Sequence, residues 1–293
     1  MRLAPNSRKS RAARKANAVR TVHPSLLILL CLVCIALMAA TIGLLPSGVD
    51  WTTNYRPASL ALLRGESPYT VELFFAPPWS LLPLVPFAVL PAQVGRAALF
   101  IVALLSFAFT AYRLGASPLG VAIFMLSPPV VHCLLNANIE WIPLLGFVLP
   151  PQVGLLLITA KIQTGWVVAL FLVVEAWRKG GLREVMRISW PLMVAFLLSC
   201  LFFGLWPLHL PNVMPLATDI NASLWPYSIP VGLALLVACV RKRDIRLAMP
   251  ASPCLSPYAL FHTWSAAVVA LVASTAELAA AVAGLWIVVG IQA

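Results

Sequence analysis

Charge is what this chain has least of. Asp, Glu, Lys and Arg make up 10% of its 293 residues, and only nine of them are acids. Soluble domains carry about a quarter charged residues, so an ordinary soluble domain is excluded. Several chemical signatures are missing too. There is no Walker loop, no GxGxxG following a strand, no Ser/His/Asp constellation, and no spacing of His, Cys and carboxylates suited to a metal. The six cysteines form no disulfide framework. Cys31 and Cys34 make a CxxC, but within an apolar run that offers a redox pair or zinc no polar surroundings, so packing is their expected role.

What fills the chain instead is apolar. Hydrophobic residues make up 61% and the mean hydropathy is +0.95. This composition predicts an all-α, polytopic integral membrane protein, with room for about ten crossings of roughly 20 residues each. The net charge of +11 would suit nucleic acid, but its placement argues against that partner. Fifteen of the 20 Lys and Arg fall in three short runs, at 1–20, Arg178–Arg187 and Arg241–Arg246, each flanking apolar sequence. That is the positive-inside pattern. Residues 1–22 then read as a basic cytoplasmic tail that meets anionic lipid headgroups, and 23–293 as a single transmembrane domain. Leu26–Leu45 carries no charge and continues past the poor cleavage site at Met38-Ala39-Ala40. It is expected to be a retained first span, not a signal peptide, that delivers Asp50 to the external face.

The external loop, 46–75, holds most of the polar residues lying between two apolar blocks. Pro57–Leu63 is expected to be a short interfacial helix begun by its proline and ended by Gly65 and Pro68. Beyond it, Ala76–Leu90 carries so many prolines that it either spans or enters and leaves on one side. Asn138–Leu149 and Gln152–Ala160 are short and separated by Pro150-Pro151, so they form one broken helix or a tight hairpin. Such backbone is tolerated at membrane depth only when buried in protein or lining a cavity. Taking 76–90 as a crossing with a single broken helix, or as re-entrant with two crossings, both termini stay inside. Under either count Lys161 reaches the same external side as Asp50.

Lys161, in AKIQT, lies between two apolar segments. A lysine there costs roughly 2.5–3.5 kcal/mol on insertion scales, so it snorkels to an interface or faces an anionic group. Glu140, in NANIE, is either part of a polar lining with Asn138 or an acid in a first helical turn. Asp50, beside Trp51, is a plain interfacial acid or a general base at a cavity mouth. His132 and His209 read as structural, whereas His262 ends an apolar stretch on the external side. Glu277 stands alone in a long Ala/Val/Leu segment with no evident partner.

Taken in order, these stretches resemble a known family. Asp50 after the first span, Tyr55, LLRGESPY (Leu62–Tyr69), FFAPP (Phe74–Pro78), SPPVVHCLLNANIE (Ser127–Glu140), AKIQT (Ala160–Thr164) and SPCLSPYALFHTW (Ser252–Trp264) are similar to the GT-C membrane glycosyltransferases, and among them to glycosyltransferase family 87. The resemblance implies a bacterial plasma-membrane enzyme that moves a mannose-like sugar, with inversion, from a polyprenyl-phosphate donor to a glycan or lipid acceptor on the external face. It implies Asp50 as general base, with Lys161, Gln163, Arg64 and His262 as contacts for donor phosphate or sugar. Tyr55, Glu66, Tyr69, Asn138 and Glu140 become cavity-lining candidates. No cofactor is called for, and a divalent cation is left open. The motif here is Lys-Ile-Gln, without the family's central proline, and the later external loops are small. A non-catalytic lipid-binding relative and a transporter or flippase-like protein are therefore the alternatives.

Overall fold

The computed structural model describes residues 24–208 and 219–292, without the side chains of 24–31, 34 and 292. The basic tail, His209 and the Cys31/Cys34 side chains lie outside the described residues. Helix dominates, and no strand occurs among the described residues. α1 (Pro24–Ile42) leads through a π-turn at Trp51–Tyr55 into α2 (Arg56–Leu63). Pro57 sits in the first turn of α2, and Gly65 follows its end at a φ of +75°, a conformation that costs glycine nothing. The expected interfacial helix thus has its predicted start and stop.

Ala76–Leu90 does not form a spanning helix. It folds as a 3₁₀ turn, Pro78–Leu81, and a single turn of helix, α3 (Val85–Ala88), because its prolines remove backbone donors at short intervals. Both of its ends return to the same loop. The Tyr69 hydroxyl donates to the Ala76 carbonyl at 3.1 Å, Arg56 Nη2 to Leu90 at 3.3 Å, and Trp51 Nε1 to Ala92 at 3.3 Å. The segment thus holds no helix long enough to span, and both its ends stay against one loop.

α4 (Ala92–Arg113) is a straight 22-residue rod. α5 (Pro118–Met125) and α6 (Pro128–Asn136) follow, bent by 59° where Ser127 precedes two prolines. Next come α7 (Trp141–Gly146) and α8 (Pro151–Ile158), at about 1.5 Å per residue too short to cross a bilayer. They form the tight hairpin, and two glycines let them touch. A Cβ on Gly146 would lie 2.9 Å from the Gly154 carbonyl oxygen, and one on Gly154 only 2.7 Å from that of Gly146.

α9 (Ile162–Phe203) is broken into two arms at Gly180 and Gly181, whose dihedrals are not helical. Its first arm runs from Lys161 to the basic run at 178–187, on the order of 27 Å at 1.5 Å per residue. There Arg178 donates to the Val240 carbonyl at 3.1 Å, and Glu175 accepts from Arg243 at 3.0 Å. Two of the three basic runs therefore meet at the end of this arm remote from Lys161. α10 (Ile229–Lys242), α11 (Ile245–Cys254), α12 (Ser265–Val269) and α13 (Thr275–Gln292) complete the fold. Glu277 falls in the first turn of α13, where the helix dipole favours an acid; the apparent single segment around it is two helices.

The core gathers Trp51, Phe74, Leu84, Phe107, Phe124 and Ile142, all at most 2% exposed. The expected ten crossings are not found. By length and composition two described segments could cross a membrane, α4 and the helical run Pro151–Phe203 despite its breaks, or three if the bent α5–α6 pair is one span. The count misses because apolar stretches with prolines and paired short helices resemble spans by composition while the backbone divides them.

The glycine contact gives a direct test. Gly154→Ala should lower the thermal unfolding midpoint of the detergent-purified chain, since overpacking typically costs about 1–3 kcal/mol. Gly284→Ala, in α13 with nothing within 4 Å of its added Cβ, should leave the midpoint unchanged or raise it.

Candidate functional site

The site starts at a helix end. α6 stops at Ala137, which adopts the left-handed conformation (φ 57°), and the Asn138 amide turns back to the Cys133 carbonyl at 3.0 Å. That sharp reversal carries Asn138 and Glu140 into the interior, at 2% and 0% exposure. On the facing side, Thr159–Lys161 is a 3₁₀ turn, and Lys161 leaves helical geometry (φ −143°, ψ 92°) before α9 begins. Its side chain is thereby directed inward, at 6% exposure.

There the ammonium meets three acceptors. Nζ lies 2.7 Å from Glu140 Oε1, 2.7 Å from Asn138 Oδ1 and 3.0 Å from His262 Nε2. Glu140 is satisfied in turn by the hydroxyls of Thr263, at 2.8 Å on Oε1, and Thr164, at 2.5 Å on Oε2. Desolvating each ion costs several kcal/mol, and a buried pair offsets this only when its remaining hydrogen-bonding capacity is filled. Here it is filled on both sides. Because His262 Nε2 faces an ammonium, it accepts. Its proton is assigned to Nδ1, which donates to Nδ1 of His132 at 3.2 Å.

Asn138 joins this pair to Asp50. Its Nδ2 donates to Asp50 Oδ2 at 2.7 Å, while its Oδ1 also accepts from the Ile139 amide at 2.7 Å. No protein donor among the described residues reaches Asp50 Oδ1. Asp50, Asn138 and Lys161 open onto one cavity of about 840 Å³, within the size range of ligand pockets. Tyr55, Gln163, Asn54, Asp219 and Tyr258 also line it. Leu73, Phe75, Trp79, Leu192, Phe196 and Ile220 form apolar wall. Two wall atoms are buried without a hydrogen-bond partner, Asn54 Oδ1 and Trp79 Nε1.

Of the residues expected at the site, Asp50, Lys161, Gln163, Tyr55 and Asn138 line the cavity. Glu140 and His262 lie behind its wall and hold Lys161. Arg64 and Glu66 do not belong to it. They pair with each other at 2.7 Å, both more than half exposed, because α2 ends before them and turns both to the surface. Arg64 fixes the Glu66 carboxyl below the usual range through that hydrogen bond. Tyr69 is also outside the lining, stacked on Trp206 at 5.8 Å with its hydroxyl on Ala76. Lys161 was expected to present a free cation to phosphate; instead its three N–H groups are engaged.

Sequence reasoning missed Thr164, Thr263, Asn54, Trp79 and Tyr258, and read His132 as structural without seeing its bond to His262. The hydroxyls of AKIQT and LFHTW were the available signal, since a buried carboxylate needs donors beyond its cation. The side chain of Asn221, in Asn221-Ala222-Ser223, is occupied internally. Its Oδ1 accepts from Ser223 at 3.0 Å and Ala259 at 3.1 Å.

Compared with protein-family models, with curated proteins and with solved structures, the chain finds no match.

The buried pair can be tested by substitution. Glu140→Gln strands the Lys161 ammonium and should cost about 3–5 kcal/mol of stability. Adding Lys161→Met should recover most of the loss in a double-mutant cycle of thermal or denaturant unfolding.

Proposed function

We propose that this chain is a membrane glycosyltransferase that takes a mannose-like sugar from a polyprenyl-phosphate donor, with Asp50 as general base. The reading rests on the resemblance of its ordered motifs to the GT-C enzymes. It is supported by one structural observation above others, a cavity that is apolar along most of its wall and is lined by the Asp50 carboxylate. Asn138 holds one oxygen of that carboxylate and no protein donor among the described residues reaches the other.

In this scheme Asp50 Oδ1 accepts the proton of an acceptor hydroxyl, while Asn138 holds Oδ2 and so fixes the carboxylate's orientation. The hydroxyl oxygen forms the new bond to the anomeric carbon from the face opposite the leaving group. The anomeric C–O bond to phosphate breaks, and polyprenyl phosphate departs with the electron pair. The configuration inverts. A positioned base of this kind contributes about 10²–10⁴-fold. Tyr55, Asn54, Gln163 and Tyr258 line the same cavity and are the polar side chains available to sugar hydroxyls or phosphate. The polyprenyl chain fits an apolar wall built from Leu73, Phe75, Leu192 and Phe196.

The membrane setting is supported by the first arm of α9, whose length is near the roughly 30 Å of bilayer hydrocarbon. The cavity residue Lys161 stands at one end and the basic run at the other. That arrangement suits an external cavity over cytoplasmic basic residues, with the N-terminus cytoplasmic.

One observation favours a second reading. Leaving-group charge calls for a cation or oriented donors, and the Lys161 ammonium is already neutralised by Glu140. A lipid-binding protein that keeps the cavity without transfer fits that neutralisation.

The deciding experiment incubates the purified chain in detergent with labelled polyprenyl-phosphate mannose and a panel of glycan and lipid acceptors. Transfer is expected, and Asp50→Asn should reduce its rate by at least about 10²-fold while donor binding persists. Transfer unaffected by Asp50→Asn removes the base assignment. Donor binding without transfer by the wild-type chain supports the second reading.

A further inference from the structure

Lys161 spends its third N–H on a histidine, and that histidine meets another at the surface. His262 Nε2 lies 3.0 Å from Lys161 Nζ, and its Nδ1 lies 3.2 Å from Nδ1 of His132. The two imidazoles are within 22° of parallel with ring centres 5.5 Å apart, so the facing nitrogens stand head to head with room for one proton between them. His262 is 2% exposed, whereas His132, on α6, is exposed and does not line the cavity. The row therefore runs from a surface outside the cavity to the ammonium at its wall.

With His132 neutral, its Nδ1 accepts, His262 donates from Nδ1, and Nε2 of His262 accepts from Lys161. An imidazolium donates from both nitrogens and accepts at neither. Once His132 takes up a proton, its Nδ1 can only donate, and His262 must accept there. The single proton of His262 then sits on Nε2. One proton has entered, at His132, and one has changed nitrogen on His262. Because Nε2–H no longer accepts from the ammonium, one N–H of Lys161 is released. Glu140 Oε1, 3.9 Å from His262 Nε2, is the acceptor nearest to the new Nε2–H. Glu140 and Asn138 keep two N–H bonds of Lys161, and the freed one is available to the cavity that Lys161 lines.

Several charges act on this exchange. Asp50 attracts an imidazolium at His132 and Lys161 repels one, while the 3₁₀ turn at Phe261–Trp264 supplies His262 and sets the Phe261 ring edge-on to His132 at 5.5 Å. Of the helices against α6, α4 brings Arg96, bonded to the Leu134 and Leu135 carbonyls, and Tyr112 and Arg113 in its last turn. α13 brings Glu277 in its first turn, and α5 brings no charge. We infer that His132 is a positioning residue that acts through His262: its protonation frees one N–H of Lys161 for an anionic group in the cavity, so the cavity holds a phosphate more tightly as pH falls. The inference rests on a phosphate-bearing ligand, as in the proposed transfer, and the release supplies the cation that leaving-group charge requires.

The full chain in detergent, isotope-labelled at the ring nitrogens of its four histidines, reports each tautomer by NMR. His23→Gln, His132→Gln and His209→Gln assign three signals, and the fourth is His262. From about pH 8 to about pH 5, where an imidazole takes up its proton, His262 should pass from the Nδ1–H to the Nε2–H form as His132 becomes doubly protonated. His132→Gln, a neutral acceptor at an exposed position, should fold and abolish the change. Binding is then measured with polyprenyl-phosphate mannose, a phosphodiester whose own charge is constant over this range. Its affinity should rise by at least about tenfold toward low pH, the worth of one hydrogen bond to a charged group, and stay flat in His132→Gln. A tautomer change without any donor binding supports the histidine exchange and counts against the transferase reading. An unchanged His262 tautomer, or a donor affinity with the same pH profile in the wild type and His132→Gln, overturns the inference.

Discussion

A lysine ammonium taken out of water must find a counter-charge and acceptors for three N–H bonds, and the ends of three segments converge in this protein to supply them. Glu140 and Asn138 arrive from the reversal after α6, Lys161 and Thr164 from the break before α9, and His262 and Thr263 from the 3₁₀ turn at Phe261–Trp264. Each of these breaks would cost stability in isolation. Together they are held by one saturated pair, because leaving either ion without its partner in that setting costs more than the irregular backbone does. The pair is a spatial clamp on the cavity wall.

Asn138 extends the clamp to Asp50. One amide group accepts from Lys161 and donates to the carboxylate, so the orientation of Asp50 follows from that of the buried pair. Asp50 then lines a volume whose wall is mostly aliphatic and aromatic. A ligand with a small polar head and a long apolar body matches this division. The full occupancy of Lys161 means that charge on such a head is met by oriented neutral donors, or by exchange within the network.

The sequence made some of this legible. Asp50 and Lys161 were expected to face one cavity and both line it, although the ten crossings used to count sides are not found. The proline positions foretold α2 and left Ala76–Leu90 open between its two forms. Pairing was not legible. Glu140 and Lys161 are joined through a hairpin that depends on Gly146 touching Gly154, a contact without periodicity. Thr263 comes from far along the chain, and threonine in an apolar run has no distinguishing mark. Arg64 and Glu66, to which the resemblance pointed, pair with each other in a solvent-exposed turn and do not line the cavity. Composition overcounted the spans for a related reason: it registers apolar content and not where prolines and glycines divide it.

The central claim, that a lipid occupies the cavity over Asp50 and Lys161, is tested most directly by mapping where one sits. A polyprenyl phosphate with a photoreactive group in its first isoprene units, crosslinked to the full chain and followed by peptide mass spectrometry, should label Leu73–Pro77, Leu192–Phe196 and Tyr258–Leu260. Excess unlabelled polyprenyl phosphate should suppress that labelling. Labels confined to outward-facing residues such as Leu197, Leu201 and Phe202, or labelling that competitor leaves unchanged, would contradict the account.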